Sequence, residues 1–498
     1  MTTNAPAGQA MIASPMNWID GAPQQGNGPE FVLTNPVDGS VLTTYRGAGR
    51  DQVDHAVASA RAAFEAWRDH DPFSRSDILQ RVAGVIRDHA EELAHLETTN
   101  AGKPIRDTRV EVAKCAEMFG YYAGLSTRLH GDVVQVPGPW TTFAEREAIG
   151  VIGIFTPWNA PLFTASWNSA AAIACGNTVV LKPSEFTPLT TVRLAELANS
   201  VGLPAGVLNV VVGEGSVTGS ALVDRGDIDK LSFIGSVGVG RQVASTAASH
   251  GVPSLLELGG KSAFIVFADA DLRAAARGAV NAIFSNAGQS CTAGSRLLVH
   301  RSVAAEVTEL VCEMAGRLRV GDPLDASTEI GPIANRRQLD RICELVDAGI
   351  AQGARRGTDS AVPANLPAGG NWLAPTVLVD AGPSNPVVTQ EIFGPVLTVV
   401  AFDDENEAVA VANDSGFGLA GAVWTGSIER AHRVAHRLRA GTIWINAYKA
   451  IHVAAPFGGF GISGWGRSSG PDVVYEYTAP RVIWVPREPY RGNFESIW

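Results

Sequence analysis

The sequence predicts an α/β protein built on parallel sheets and divided into two large domains. Three observations carry that expectation. Short continuous apolar runs at Thr178 to Leu181, Val207 to Val212, Leu231 to Ile234 and Ala263 to Phe267 are separated by segments long enough for helices, the pattern of strands buried on both faces. Further runs at Arg296 to His300, Val396 to Phe402, Ala420 to Trp424 and Thr442 to Asn446 continue the alternation, as a second α/β unit requires. The 498 residues also exceed what one hydrophobic core serves, since cores stop growing at about 250–300 residues.

Before the first of these runs lies helical scaffold. The first thirty residues, rich in Gly, Pro, Asn and Gln, read as a mobile arm leading to a short strand near Phe31 to Leu33. Val53, Ala56, Val57, Ala60, Phe64 and Trp67 then follow helical spacing, with Asp51 as N-cap. A second helical pattern runs from Ile78 to Leu96 and stops at Gly102 and Pro104. Two β segments belong to neither unit: a hairpin of Val133 to Val136 with Thr141 to Arg146, and a late strand, Arg481 to Val485. Exposed edges of this kind suggest subunit pairing.

Composition excludes several classes of function. A net charge of -11 without a basic run disfavours nucleic acid as a partner. Met1 to Pro15 lacks a signal-peptide pattern, and no stretch reaches the roughly 18 apolar residues of a membrane span, so a cytoplasmic protein is expected. The five cysteines, at 115, 175, 291, 312 and 343, form no CxxC pair and read as reduced thiols. His432 and His436 lie one helical turn apart among Arg430, Arg433, Arg437 and Arg439, a solvated basic face rather than a metal site. No metal is expected.

A few residues have the makings of chemistry. Cys291 sits in the small, polar stretch Asn286 to Gly294, which suits a reactive thiol, while a small core residue is the competing reading and the commoner fate of an intracellular cysteine. Glu257 lies between leucines before Gly259-Gly260, where desolvation raises a carboxyl toward the range of a general base; a buried ion pair is the competing reading. Asn159 follows the strand Val151 to Phe155 on a proline-stiffened loop, either as an oxyanion donor or as a turn residue. Lys182 and Glu185 end a strand where open sheets place ligands and suit ribose hydroxyls, or else form a surface salt bridge. The segment Phe233 to Arg241 passes from strand to helix and offers amides to a pyrophosphate, although its spacing is not GxGxxG.

Taken together, Pro157-Trp158-Asn159, Lys182-Pro183-Ser184-Glu185, Leu256-Glu257-Leu258-Gly259-Gly260-Lys261-Ser262, Gly288-Gln289-Ser290-Cys291, Glu391-Ile392-Phe393-Gly394-Pro395 and Pro456-Phe457-Gly458-Gly459 resemble the aldehyde dehydrogenase superfamily, in the family's order. The resemblance implies a Rossmann-like NAD-binding domain over residues 17–131 and 148–257, a catalytic α/β domain over 258–459, and a small β bridging element at 132–147 and 471–498. Residues 460–470 connect these parts, and residues 1–16 form the mobile arm. It also implies a homodimer or homotetramer.

In the implied reaction Cys291 attacks an aldehyde, Asn159 and the Cys291 N–H hold the oxyanion, hydride passes to NAD, and Glu257 activates the water that hydrolyses the thioester. The resemblance places Lys182 and Glu185 at the adenosine ribose, Gly215 and Gly219 near the adenine, Ser236 at the pyrophosphate, and Glu391 with Phe393 at the nicotinamide ribose. Trp158, Ser184, Phe233, Gly235 and Leu258 also contribute to the cofactor site. NAD is expected over NADP, because Glu185 repels a 2′-phosphate.

For the substrate, the resemblance sets Ala160, Phe163, Thr164 and Trp167 along one wall and Lys449, Ala450, Ile451 and His452 opposite, with Ser290, Thr292 and Phe457 nearby. Ala160 replaces a large aromatic residue of many relatives, which implies a wider tunnel for bulky or aromatic aldehydes. Lys449 and His452 are candidates to attract a distal carboxylate or hydroxyl, against the plainer account of solvated rim charges. The sequence departs from the family pattern at Gly461, where a lysine is common, and at Ser468, where an acid is common. A coenzyme A-acylating enzyme is the alternative within the fold, disfavoured by Glu257. A non-catalytic structural or binding relative is the alternative outside catalysis, disfavoured by the presence of thiol, base and oxyanion donor together.

Overall fold

A computed structural model describes residues 16–489, so the expected arm at 1–16 lies outside the described residues except for Met16, as does the end of the bridging segment. The largest sheet has eight strands, ordered Gly464–Trp465, Ser254–Leu258, Lys230–Gly235, Val151–Phe155, Thr178–Lys182, Leu208–Val210, Asn17–Ile19 and Ala22–Gln24. Its five central strands are parallel. Chain order reverses at Val151–Phe155, which pairs with Thr178–Lys182 on one side and Lys230–Gly235 on the other. In such a sheet ligands gather beyond the carboxyl ends of the strands at the reversal.

The second sheet has seven strands, ordered Arg355–Arg356, Thr376–Val379, Val396–Phe402, Arg296–His300, Ala263–Val266, Ala420–Trp424 and Thr442–Ile445. All of its pairings are parallel except that of the edge strand Arg355–Arg356. Separate apolar cores flank each sheet: Val53, Ala56 and Val57 of the helix Arg50–Arg68 cover Val151 and Val180 of the first, and Ala275, Ala279 and Ile283 of Leu272–Phe284 cover Phe264 and Leu297 of the second. A three-stranded antiparallel sheet, Thr478–Pro486, Trp140–Ala148 and Asp132–Val134, unites the expected hairpin with the late strand. Among the described residues no helix is long and apolar enough to cross a membrane.

Three local expectations need correction. Strand structure begins at Asn17–Ile19, well before the strand expected near Phe31 and within the thirty residues whose composition read as mobile, because Trp18 pairs with Val210 across the sheet and Ile19 is fully buried. Asp51 is not the N-cap: Gly49 is, and the Asp51 carboxylate accepts from the Asn27 amide instead. The helical pattern through Leu96 is two helices, Pro72–Asp88 and Ala90–Ala101, broken where His89 leaves helical geometry and turns its ring to Glu92. Gly102 ends the second with φ of 75°, as expected of a left-handed cap.

Beneath these helices sits a buried charge cluster. Lys103 lies 3.6 Å from Glu97, bonds Glu111 directly, and is almost wholly buried; Glu97 also accepts from Thr190 at 2.6 Å. Replacing the cation strands the buried Glu97 in low dielectric and leaves the part-buried Glu111 without its partner. Lys103→Met is therefore expected to lose about 3–5 kcal/mol, measured as a lowered urea midpoint; an unchanged midpoint contradicts the pairing.

Candidate active site

The carboxyl ends of the first sheet open into a cleft of about 1340 Å³, lined by Phe155, Trp158, Lys182, Ser184, Glu185, Gly215, Gly219, Phe233, Gly235 and Ser236. Nine of the cofactor residues expected from the sequence thus share one cavity. Lys182 extends to Glu185 at 3.5 Å and to the Pro183 carbonyl at 3.0 Å. Ser236 caps the helix Val237–Ser249, whose amino end supplies N–H groups and a partial positive charge at the rim. A Cβ at Gly215 meets nothing within 4 Å, and one at Gly219 approaches Phe155 and Lys182 only at 3.6–3.7 Å, so the backbone there is open to a flat ligand. The cleft's size, its place at the strand reversal and its ribose-type donor set fit a dinucleotide.

Leu258 does not line this cleft. It is buried under the helix Val237–Ser249, where a Cβ on Gly240 would fall 2.4 Å from its Cδ2. Glu391 stands apart as well: its Oε1 accepts from the Gly260 N–H at 2.9 Å, and burial raises its carboxyl to about 7 against the opposing pull of that N–H and of Lys261. Phe393, with φ of 57°, meets the Trp158 ring edge-on at 5.3 Å. Several cleft residues were not foreseen. Glu214 stands within electrostatic reach of Lys182 beside Glu185, and Asn335, Arg337, Gln338, Arg341 and Glu344 face the cleft from the helix Arg336–Ala351 and its cap. Only a fold that carries this distant helix over the first sheet reveals them.

The nucleophile loop follows the helix Leu272–Phe284. Asn286, Ala287 and Gly288 all adopt positive φ, of 53°, 51° and 71°. For the non-glycine pair such geometry costs about 1–2 kcal/mol each, and the surroundings enforce it. Asn286 donates to the carbonyls of Asn159 and Gln289, at 3.2 and 3.1 Å. Asn159 donates to the Gln289 carbonyl at 2.9 Å, which ties the expected oxyanion donor to the cysteine loop. Gln289, a buried brace the sequence did not single out, accepts from the Ala334 N–H at 2.9 Å. At Gly288 any Cβ would lie 1.9 Å from the Gly394 carbonyl oxygen, so this position requires glycine.

Other expected residues group around Trp167 and beside Cys291 in the chain. Phe163 stacks on Trp167 at 5.3 Å, Phe457 meets Trp167 edge-on at 6.1 Å, and Ala160 and Thr164 occupy the same helix start. Ser290 and Thr292 hydroxyls lie 3.2 Å apart, and Tyr448 donates to the Thr292 carbonyl at 2.9 Å. Ile451 packs at the boundary of both large cores. Lys449, at φ of 60°, is brought down to about 8 by burial, against the charges of Asp107, Cys291 and Glu111. His452 turns the other way and pairs with Glu117 at 2.9 Å on the exterior.

Glu257 ends a strand of the first sheet, Ser254–Leu258, that its charge conceals in the sequence. Burial raises the carboxyl to about 7, opposed by a hydrogen bond from Ser468 and by Arg467. Burial also pushes the Cys291 thiol up to about 12, with Glu257 and Glu391 adding to the rise. The thiol thus senses both carboxyls, and near neutral pH it keeps its proton. His432 and His436 are exposed, while Arg433 of the same helix pairs with Glu405 at 2.8 Å.

A cleft of dinucleotide size at the reversal of a parallel sheet, with a thiol whose titration two buried carboxyls shift, defines a Rossmann-type scaffold with an ionisable site. Comparison with known proteins narrows that class. The aldehyde dehydrogenase family model matches residues 23–483, and the chain belongs to that family. It is 39% identical over 475 residues to DhaS of Bacillus subtilis (strain 168), named as an aldehyde dehydrogenase, covering 95% of each chain. The crystal structure of PnpE from Pseudomonas sp. WBC-3 superposes with a TM-score of 0.94 at 40% identity, covering 97% of this chain and 100% of that one. Betaine aldehyde dehydrogenase of Staphylococcus aureus, in complex with NAD+, does so with a TM-score of 0.94 at 35% identity, covering 97% of both. The mixed α/β fold with parallel sheets is that of the family.

Because the Cys291 thiol is held protonated by its surroundings, its alkylation by iodoacetamide is expected to be slow at pH 7 and to accelerate through about pH 9 without levelling. Peptide mass spectrometry separates it from the exposed Cys343. A rate that plateaus below about pH 8 contradicts this electrostatic account.

Proposed function

We propose that this aldehyde dehydrogenase oxidises a bulky or aromatic aldehyde to its carboxylic acid, with NAD as the oxidant and Cys291 as nucleophile. The observation that carries the reading is the meeting of a buried thiol, a base titrating near neutrality and an amide tied to the thiol's own loop. Solved relatives in complex with NAD support the cofactor, and Glu185 with Glu214 beside Lys182 supports NAD over NADP, since both would repel a 2′-phosphate. We further read the eight-stranded unit as the NAD-binding domain, the seven-stranded unit as the catalytic domain, and the three-stranded sheet as the bridge of a homodimer or homotetramer. Five unpaired cysteines suit a cytoplasmic enzyme.

In this reading the Cys291 proton passes to a carboxylate of the site, and the sulfur attacks the aldehyde carbon. Asn159 and the backbone N–H of Cys291 hold the oxyanion. Bound NAD supplies the acceptor for the hydride that leaves that carbon. Cys291 is left as a thioester. Glu257 then takes a proton from water as the water oxygen adds to the thioester carbon, the C–S bond breaks, and the sulfur recovers its proton. Glu257 supports water rather than coenzyme A as the acyl acceptor.

Cys291→Ala is expected to abolish NADH formation while NAD still binds. Glu257→Gln is expected to give one burst of NADH and then stall with acylated enzyme visible by intact-mass spectrometry. Multiple turnovers in the first, or steady turnover at the wild-type rate in the second, overturn the mechanism.

The substrate class rests on Ala160, which leaves the wall beside Phe163, Trp167 and Phe457 without a ring at its amino end. Ala160→Phe is expected to lower kcat/KM for benzaldehyde-type substrates by about tenfold or more, the effect of roughly 1.4 kcal/mol, and to spare short aliphatic aldehydes. Equal losses for both classes count against a wide tunnel.

A further inference from the structure

Resting on the assignment of Glu257 as the hydrolytic base, we propose that Ser468 is its positioning residue: a neutral hydroxyl that aims and holds the carboxylate by a hydrogen bond whose direction is fixed by Trp167. Ser468 is fully buried, accepts from the Trp167 indole N–H at 2.7 Å, and donates to Glu257 Oε1. An indole nitrogen only donates and an ionised carboxylate only accepts. The serine oxygen must therefore take the indole proton, and its own proton is left pointing at Glu257. Such a bond favours the ionised carboxylate, the form that accepts a proton from water.

The serine itself cannot wander. Its N–H donates to the Phe457 carbonyl at 2.9 Å, and the preceding Arg467 is fixed by its N–H to Glu476 at 3.0 Å and its guanidinium to the Gly459 and Gly466 carbonyls. Other groups around Glu257 are few. Arg467 favours the carboxylate; Glu476 opposes it while paired with Lys230; Tyr477, Tyr122 and the Cys291 thiol are the remaining titratable neighbours. Among the described residues none of these neighbours donates a hydrogen bond to Glu257, so the hydroxyl of Ser468 has no substitute beside it. Where relatives in the family pattern carry an acid at this place, the present chain has a group that neither titrates nor repels the base.

The test is the pH profile of steady-state kcat beside the NADH burst. In Ser468→Ala the acid limb is expected to move up by about one pH unit, the tenfold effect of losing a charge-assisted bond. At pH 7 kcat then falls about five- to tenfold and recovers at high pH, with the burst amplitude retained. Ser468→Thr, which keeps the hydroxyl, should hold the wild-type limb. If the alanine variant does not fold, Ser468→Cys, a near-isostere with a weaker donor, should shift the limb in the same direction by a smaller amount. A limb that stays put in the alanine or cysteine variant, or a loss uniform across pH, overturns the proposal. Its failure is distinct from failure of the mechanism itself, which is read from Glu257→Gln alone.

Discussion

Between the end of the strand Ser254–Leu258 and the start of Ala263–Val266 only residues 259–262 pass from one sheet to the other, and two of them are glycine. A Cβ at Gly259 would stand 2.0 Å from Glu391 Oε2, and one at Gly260 would stand 2.5 Å from the Cys291 carbonyl oxygen. The nucleophile loop and the carboxylate loop both close onto bare backbone here. Ser463 holds the Gly259 carbonyl at 2.7 Å and the Gly260 N–H holds Glu391, so the crossing is satisfied as well as slender. Glu257 at the carboxyl end of one sheet and Cys291 at the entry of the other come within electrostatic reach because nothing bulkier than hydrogen separates their supports.

The same closeness sets the proton inventory. Glu257 and Glu391 are both raised to about 7, and the thiol to about 12, each chiefly by burial. Each carboxylate charge raises the cost of ionising the thiol. On raising the pH, a carboxyl loses its proton first and becomes the acceptor for the thiol's. In the proposed reaction that carboxylate accepts the thiol's proton as the carbonyl carbon arrives, and the resting protonated sulfur is a poor target for oxidants.

Legibility in the sequence followed the range of the interactions involved. Strands buried on both faces, such as Arg296–His300, Val396–Phe402 and Ala420–Trp424, show the same bounds as apolar runs and as structure, because their burial is written in every residue. Ser254–Leu258 hid behind the charge of Glu257, and Asn17–Ile19 was too short to carry a period. At the site, the family motifs pointed to Cys291, Glu257 and Asn159, but not to Gln289, whose side chain reaches Ala334, nor to the helix Arg336–Ala351 across the cleft. Those contacts join segments far apart in sequence and leave no local pattern. Ser468 was visible as a departure, while its direct bond to Glu257, 211 residues away, was not.

That bond also links the site to the molecule's exposed edge. Two residues beyond Arg467-Ser468-Ser469, the short helices from Pro471 to Tyr477 lead into Thr478–Pro486, which pairs along its whole length with Trp140–Ala148. Val133, Val482, Trp484 and Val485 leave apolar surface open on this three-stranded sheet, of the kind that a further subunit covers. Between sheet and site, Glu476 grips both Lys230 of the large sheet and the Arg467 N–H, and Asn177 donates to the Tyr477 carbonyl at 2.8 Å. The segment that carries the serine is thus anchored at one end by the base it orients and at the other by the strand most suited to pairing. A shift of that strand has a short, stiff path of hydrogen bonds to the carboxylate, and little slack in which to be absorbed.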